Sequence, residues 1–162
     1  MPVLHVRKPS VSGEDDQGNE VEIPPPHMLV REGPLIQVNI GPASDLADQW
    51  RNDGREVPEP ITGPALIDTG ATSTCVDDGV ARDLGLPVVD VAKMASASEE
   101  TEQNVYPIEV DVVASDLKIN SPKSIGANLR DNQDIIALIG RDVLRHTTFH
   151  YNGVTGDFTL SM

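Results

Sequence analysis

Apolar and polar residues alternate with a period of two along most of this chain, and that period predicts strands. In "PLIQVNIGP", residues 34–42, Ile36, Val38 and Ile40 fall on one side, and Leu35, Gln37 and Asn39 on the other. "ALIDTGATSTCV" reads as strand, turn, strand. From Val88 to Val113 the pattern predicts two strands around a polar tip, "ASASEETEQ". In the second of them Ile108, Val110 and Val112 share one face while Glu109 and Asp111 share the other. Shorter apolar pieces follow at Leu117–Ile119 and Ile125–Leu129, then a buried run, "DIIALIG". The last stretch, "TTFHYNGVTGDFTLSM", predicts a hairpin around Asn152-Gly153 and Gly156.

The period lengthens to a helical turn in few places. A short helix is expected from Ser44, where Leu46 and Trp50 lie one turn apart. "DDGVARDLGLP" carries a cap at Asp77, a short body, Gly85 past its end and Pro87 beyond. "RDVLRH" predicts one or two further turns. Residues 9–26, "PSVSGEDDQGNEVEIPPP", are acidic and proline-rich with no usable period, so residues 1–28 are expected to form a flexible arm. Such an arm could be a removable pro-segment or a swapped strand. The ordered domain is then expected over 29–162, with an insertion at 43–63 that holds the only tryptophan. That insertion reads either as a partner or substrate loop or as a plain excursion between strands. The chain shows no internal repeat.

Composition narrows the choice. A chain of 162 residues with 38% hydrophobic content suffices for one compact domain. With one Trp, two Tyr and two Phe, branched aliphatics must fill the core, and they favour strands. The 13 prolines and 13 glycines suit many short elements separated by turns. A net charge of −14, from 26 acidic and 12 basic side chains, repels nucleic acid and anionic lipid, so neither is an expected partner. Cys75 is the single cysteine, which excludes an intrachain disulfide. The first residues lack the apolar run of a signal peptide and no later run would span a bilayer, so a cytoplasmic protein is expected.

The chemistry centres on Asp68. Ala65, Leu66 and Ile67 bring a strand up to it, and Gly70 permits a sharp turn just after. A carboxylate so placed could be a proteolytic acid, a phosphate- or metal-binding group, or a turn residue. About seventy residues later "ALIGRD" again runs apolar residues into a glycine. With the "DLGLP" helix ending, the hairpin before "VYPIEV", "ALIGRDVL" and the closing "YNGVTGDFTL", these features resemble the retropepsin-like aspartic proteases over roughly Leu29 to Met162.

The resemblance implies an all-β acid protease fold: a closed, barrel-like subunit with a flap hairpin and one or two short helices. It also implies an aspartic endopeptidase that works as a homodimer without metal or cofactor, because each chain carries one D-T-G and two Asp68 carboxylates must meet. Thr69 would bond across the dimer axis, and Gly70 would offer its N–H to the carboxylate. Gly140 would let its loop pass close to the active-site strand, and Arg141 would anchor the loops through an acid. Retroviral relatives place that acid four residues after the catalytic aspartate, where this chain has Thr72, which leaves Asp142, Asp77 or Asp78 to replace it. The flap tip, at Ala95, Ser96, Ala97 and Ser98, would cover an extended peptide and lacks the usual glycines.

Pepsin-type enzymes carry a hydroxyl where this chain has Ala71, and that hydroxyl favours the ionised carboxylate by hydrogen bonding. Ala71 cannot do so. Activity is therefore expected to extend to mildly acidic or near-neutral pH, and a rate profile peaking at about pH 2 would contradict this.

Two rivals remain. "IDTGATST" also resembles the phosphate-binding loop of actin-like sugar kinases, but that fold needs two large lobes and a second phosphate loop. Alternatively the retropepsin-like fold could serve only as a dimerisation or peptide-binding module. His146 and His150 fall near a strand start, where their spacing separates them by about 13 Å, so no metal pair is expected. Cys75 reads as a structural thiol.

Overall fold

The computed structural model describes residues 2–95 and 100–162. In chain order come β1 (Val3–Arg7), β2 (Val11–Glu14), β3 (Glu20–Ile23), α1 (Pro25–Glu32), β4 (Leu35–Pro42), α2 (Ser44–Asn52) and β5 (Ile61–Ile67). Then follow β6 (Cys75–Asp77), α3 (Asp78–Asp83), β7 (Asp90–Ala95), β8 (Glu100–Val112) and β9 (Lys118–Ala127). The chain finishes with α4 (Arg130–Gln133), β10 (Ala137–Ile139), α5 (Arg141–Leu144), β11 (Thr148–Asn152) and β12 (Asp157–Ser161).

Six strands close a barrel in the order β4-β5-β10-β6-β9-β8, the ring being completed by β8 on β4, while β7 is hairpinned onto the outside of β8. Closure removes the sheet edges that would otherwise stay unpaired. The alternation seen along the sequence becomes the inside and outside of this barrel. Val38, Ile40, Ile108 and Val110 are fully buried, and the core is aliphatic apart from Tyr106, Trp50 and Phe158. The fold is thus the expected all-β class. Trp50, on α2, enters the core and is covered by the Arg55 guanidinium 3.9 Å from the ring centre. The 43–63 segment therefore packs as part of the domain rather than standing off it.

The largest departure from the sequence reading is at the N-terminus. Of the expected arm, Val3–Arg7 and Pro25–Met28 are built into the packed domain. β1 pairs antiparallel with β12, from Val3 opposite Ser161 to Arg7 opposite Asp157, and β11 completes a three-stranded sheet. Leu4 and Val6 pack against the core from this strand. Lys8 is buried, its ammonium 2.9 Å from Glu32 on α1. Its N–H donates to the carbonyl of Gly156. Gly156 holds φ +74°, and a Cβ there would collide with the backbone of Pro25 and Pro26, so the C-terminal hairpin and the start of α1 lie in tight contact. The physical reason is brevity: a short apolar alternation is overshadowed by the acidic run that follows. The prolines also mislead, because Pro25 and Pro26 occupy the first turn of α1, where a missing N–H costs nothing. Only β2 and β3 stand apart, as a separate two-stranded hairpin.

Asp77 fastens the far side of the barrel. One carboxylate oxygen accepts from Gly79 N and Val80 N at the start of α3, and the other from Leu129 N and Arg130 N at the start of α4. Burial by itself would raise its pKa. The Arg130, Val80 and Leu129 amides and the Arg130 guanidinium outweigh burial and hold it below the ordinary 3.8. Because the folded value is depressed, this group adds stability that is full above the unfolded value and lost as pH falls through the folded one. Asp77→Ala is expected to cost about 3 kcal/mol near neutral pH by removing the cap and orphaning buried donors. Thermal unfolding followed against pH should show that deficit closing in acid.

Candidate active site

β5 and β10 run parallel, with Ala65, Leu66 and Ile67 beside Ala137, Leu138 and Ile139, so the loops after Ile67 and Ile139 emerge side by side. The two apolar runs that look alike in sequence are thus adjacent strands, and Asp68 N bonds the Ile139 carbonyl at 3.0 Å. β6 then returns antiparallel on β10 and pairs parallel with β9, so the loop from Asp68 to Thr74 is fixed at both ends.

Asp68 is half-buried. Its Oδ1 accepts from Gly70 N at 2.7 Å and from Ala71 N at 3.3 Å, and its carbonyl closes the turn on Ala71 N. Thr69 and Gly70 are exposed at the tip of this turn. Gly140 sits beneath it. A Cβ at that position would lie 2.5 Å from the Ser73 carbonyl carbon, 2.6 Å from its oxygen and 2.9 Å from Thr74 N. The two loops touch backbone to backbone, and only glycine fits.

The loops are also stitched by polar contacts. Thr74, fully buried, receives the Gly140 N–H on its hydroxyl at 3.1 Å and donates that hydroxyl to Asp142 Oδ1 at 2.8 Å. Asp142 Oδ2 accepts from Thr74 N at 2.9 Å, and Oδ1 also accepts from Val143 N. Arg141 N and Asp142 N donate to the carbonyls of Ala71 and Thr72. The sequence reading misses Thr74. Its signal is a hydroxyl residue opening an apolar strand, where burial forces a partner to be found.

Arg141 finds no acid. Its guanidinium donates to the carbonyls of Thr69 and Gly70, at 3.1 and 3.3 Å, and to the Thr72 hydroxyl at 2.9 Å. Among the described residues no carboxylate lies within ion-pair reach of it. Asp142 serves Thr74, Asp77 lies 3.8 Å from Arg130, and Asp78 makes no bond to Arg141, so none of the three candidates replaces the missing acid. Thr72 itself takes that place, as a neutral acceptor.

The expected flap corresponds to β7 and β8, paired from Asp90 opposite Val105 to Ala95 opposite Glu100. Ala95 ends β7, whereas Ser96, Ala97 and Ser98 lie outside the described residues. Cys75 is half-buried, and burial followed by the nearby charges of Asp142 and Asp68 pushes its thiol up to about 11, which suits a structural role and not a nucleophile. His146 lies in the turn after α5 and His150 in β11, and the His146 ring accepts from Arg145 Nε. Among the described residues no group of three His, Cys, Asp or Glu side chains is gathered for a metal, and no helix is long and apolar enough to cross a membrane.

No curated protein matches the chain. Among solved structures it is similar to a retropepsin-like aspartic protease from Rickettsia conorii, at 12% identity and a TM-score of 0.47, covering 98% of this chain and 90% of the other. It is also similar to the retroviral protease-like domain of Ddi1 from Leishmania major, at 14% identity and a TM-score of 0.39, covering 73% of this chain and 81% of the other. The aspartyl protease family model matches residues 54–143, a span that begins before β5 and ends within α5, and so takes in both interlocked loops. On that match, which spans more than half of the chain, the protein belongs to the aspartyl protease family.

Proposed function

We propose that the protein is an aspartic endopeptidase in which two copies of the chain each contribute Asp68. The observation that carries this reading is the setting of that carboxylate. It stands half-exposed on a turn locked by Gly70 N, Ala71 N and the Gly140 loop, and the chain holds one such turn.

Two such carboxylates about 3 Å apart cannot both ionise cheaply, so they share one proton and titrate as a pair. The ionised member takes a proton from a water held between them, and that water attacks the peptide carbonyl. The protonated member hydrogen-bonds the developing oxyanion, then passes its proton to the leaving amine. No covalent intermediate forms. Thr69, at the exposed tip, would meet its counterpart across the two-fold axis, while Arg141, Asp142 and Thr74 keep each loop rigid. An extended peptide would lie under the β7–β8 hairpin, bonded through its backbone as an added strand.

The test is cleavage of a peptide library by wild type and Asp68→Asn, with a pepstatin-type inhibitor as control. Cleavage by wild type alone, blocked by inhibitor, supports the proposal. Equal cleavage by both proteins, or none by either while dimers form, would leave a dimerisation or peptide-binding module instead.

A further inference from the structure

We propose that the β2–β3 hairpin of one copy docks into a cationic groove on a second copy, and reciprocally, about the two-fold axis. This rests on the homodimer reading above and adds to it a specific contact.

The groove has a volume of about 410 Å³ and is rimmed by Lys118, Lys123, Arg145 and His146 over an apolar floor that includes Ile119 and Val143. Its one acidic side chain, Asp142, is already committed to Thr74 and Val143. Lys118 lies 3.9 Å from Asp111 and Lys123 3.0 Å from Asp90, with the lysine side chains 63% and 71% exposed, so these pairs are weak. In a chain of net charge −14 such a surface is a local reversal of sign.

The hairpin is its complement. Between Pro9 and Pro26 the chain has no Lys, Arg or His, and carries Glu14, Asp15, Asp16, Glu20 and Glu22. The register places Val11 opposite Ile23 and Gly13 opposite Val21 on one face, and Ser12 opposite Glu22 and Glu14 opposite Glu20 on the other. One face is therefore apolar and one acidic, yet no hairpin residue is buried, and Val11 and Val21 are 38% and 37% exposed. The turn is well built, since Asp15 Oδ1 accepts from Gln17 N and Asn19 N. A two-stranded hairpin in which only Gly13 and Ile23 are partly covered is marginal in water and gains from a second surface.

Placement favours exchange over a contact within one chain. The hairpin springs from Lys8, whose N–H meets Gly156 just before β12, whereas the groove includes Met162 just beyond that strand's other end. The length of β12, about 17 Å, separates the two sites. A two-fold axis perpendicular to β12 reverses its direction and brings the hairpin end of one copy to the groove end of the other.

The test is the dimer dissociation constant of the full chain by sedimentation equilibrium. Reversal of the groove (Lys123→Glu with Arg145→Glu) and of the hairpin (Glu20→Lys with Glu22→Lys) should each weaken the dimer by about tenfold or more. Combining the two reversals should restore affinity. Either reversal having no effect, or the combination weakening the dimer further, overturns the docking. So does a groove reversal that raises KM for acidic peptides while the dimer is unchanged, which would make the groove a substrate contact. An Asp68-dependent protease indifferent to both reversals overturns the docking alone. Compensating reversals in a protein that cleaves nothing would support the docking and remove the proteolytic reading.

Discussion

Asp68→Asn should lower kcat/KM for a cleaved peptide by about 10⁴-fold or more, because in the proposed dimer one side-chain position would serve as general base in one copy and general acid in the other. Folding should survive the change. Asparagine keeps a carbonyl oxygen able to accept from Gly70 N and Ala71 N, which lie 2.7 and 3.3 Å from Oδ1, so the turn stays closed. The melting temperature and dimer mass of the variant should match those of wild type, separating loss of chemistry from loss of structure. Mixed dimers sharpen the point. A dimer of one wild-type chain and one Asp68→Asn chain holds a single carboxylate, which cannot act as base and acid at once. Activity measured against mixing ratio should then fall as the square of the wild-type fraction. A linear fall would show that each subunit works alone.

Gly140→Ala should be the most damaging single methyl addition in the site. The backbone at this position, φ −90° and ψ −179°, is open to any residue, so the problem is space alone. The obstructing atoms are backbone, at 2.5 to 2.9 Å, and cannot rotate away. Either β10 or the Ser73–Thr74 segment must move, which breaks the Gly140 N–Thr74 bond and loosens the Thr74–Asp142 clamp. The expected cost is about 3 kcal/mol or more. At this chain length that corresponds to a fall in melting temperature of about 10 °C. In folded enzyme kcat should fall more than KM rises, since the change misplaces Asp68 and leaves the β7–β8 hairpin intact. Calorimetry and steady-state kinetics on one preparation would check both.

Much of this is legible in the sequence because it depends on local rules. Period-two alternation locates β4, β8 and the C-terminal hairpin, and the cap at Asp77 locates α3, where the carboxylate does accept from Gly79 N and Val80 N. The similar runs ending in Asp68 and Gly140 point to paired loops because close approach of two backbones demands glycine. What stays hidden depends on partners distant in sequence. β1 is too short to announce itself, and its pairing with β12 joins the two ends of the chain. The second oxygen of Asp77 reaches Leu129 and Arg130, a link that no spacing reveals. Charge pairing suggests an acid for Arg141, whereas two carbonyls and the Thr72 hydroxyl satisfy it. Thr74 escapes notice because Thr72, Ser73 and Thr74 all offer hydroxyls, and only its place at the mouth of β6 sets it apart from the other two.

The parallel pairing of β5 with β10 also fixes when the site can exist. Ile67 and Ile139 stand side by side in space but far apart along the chain, and the segment between them includes most of the barrel. Closing so long a loop is expected to come late in folding, after hairpins such as β7–β8 that join neighbours, which pulse-labelled hydrogen exchange would check. During synthesis Asp68 is made well before Gly140, so the emerging chain carries its D-T-G motif without the strand that shapes it. The protein would pass through its own production as a bystander, acquiring the geometry for hydrolysis only when the barrel shuts.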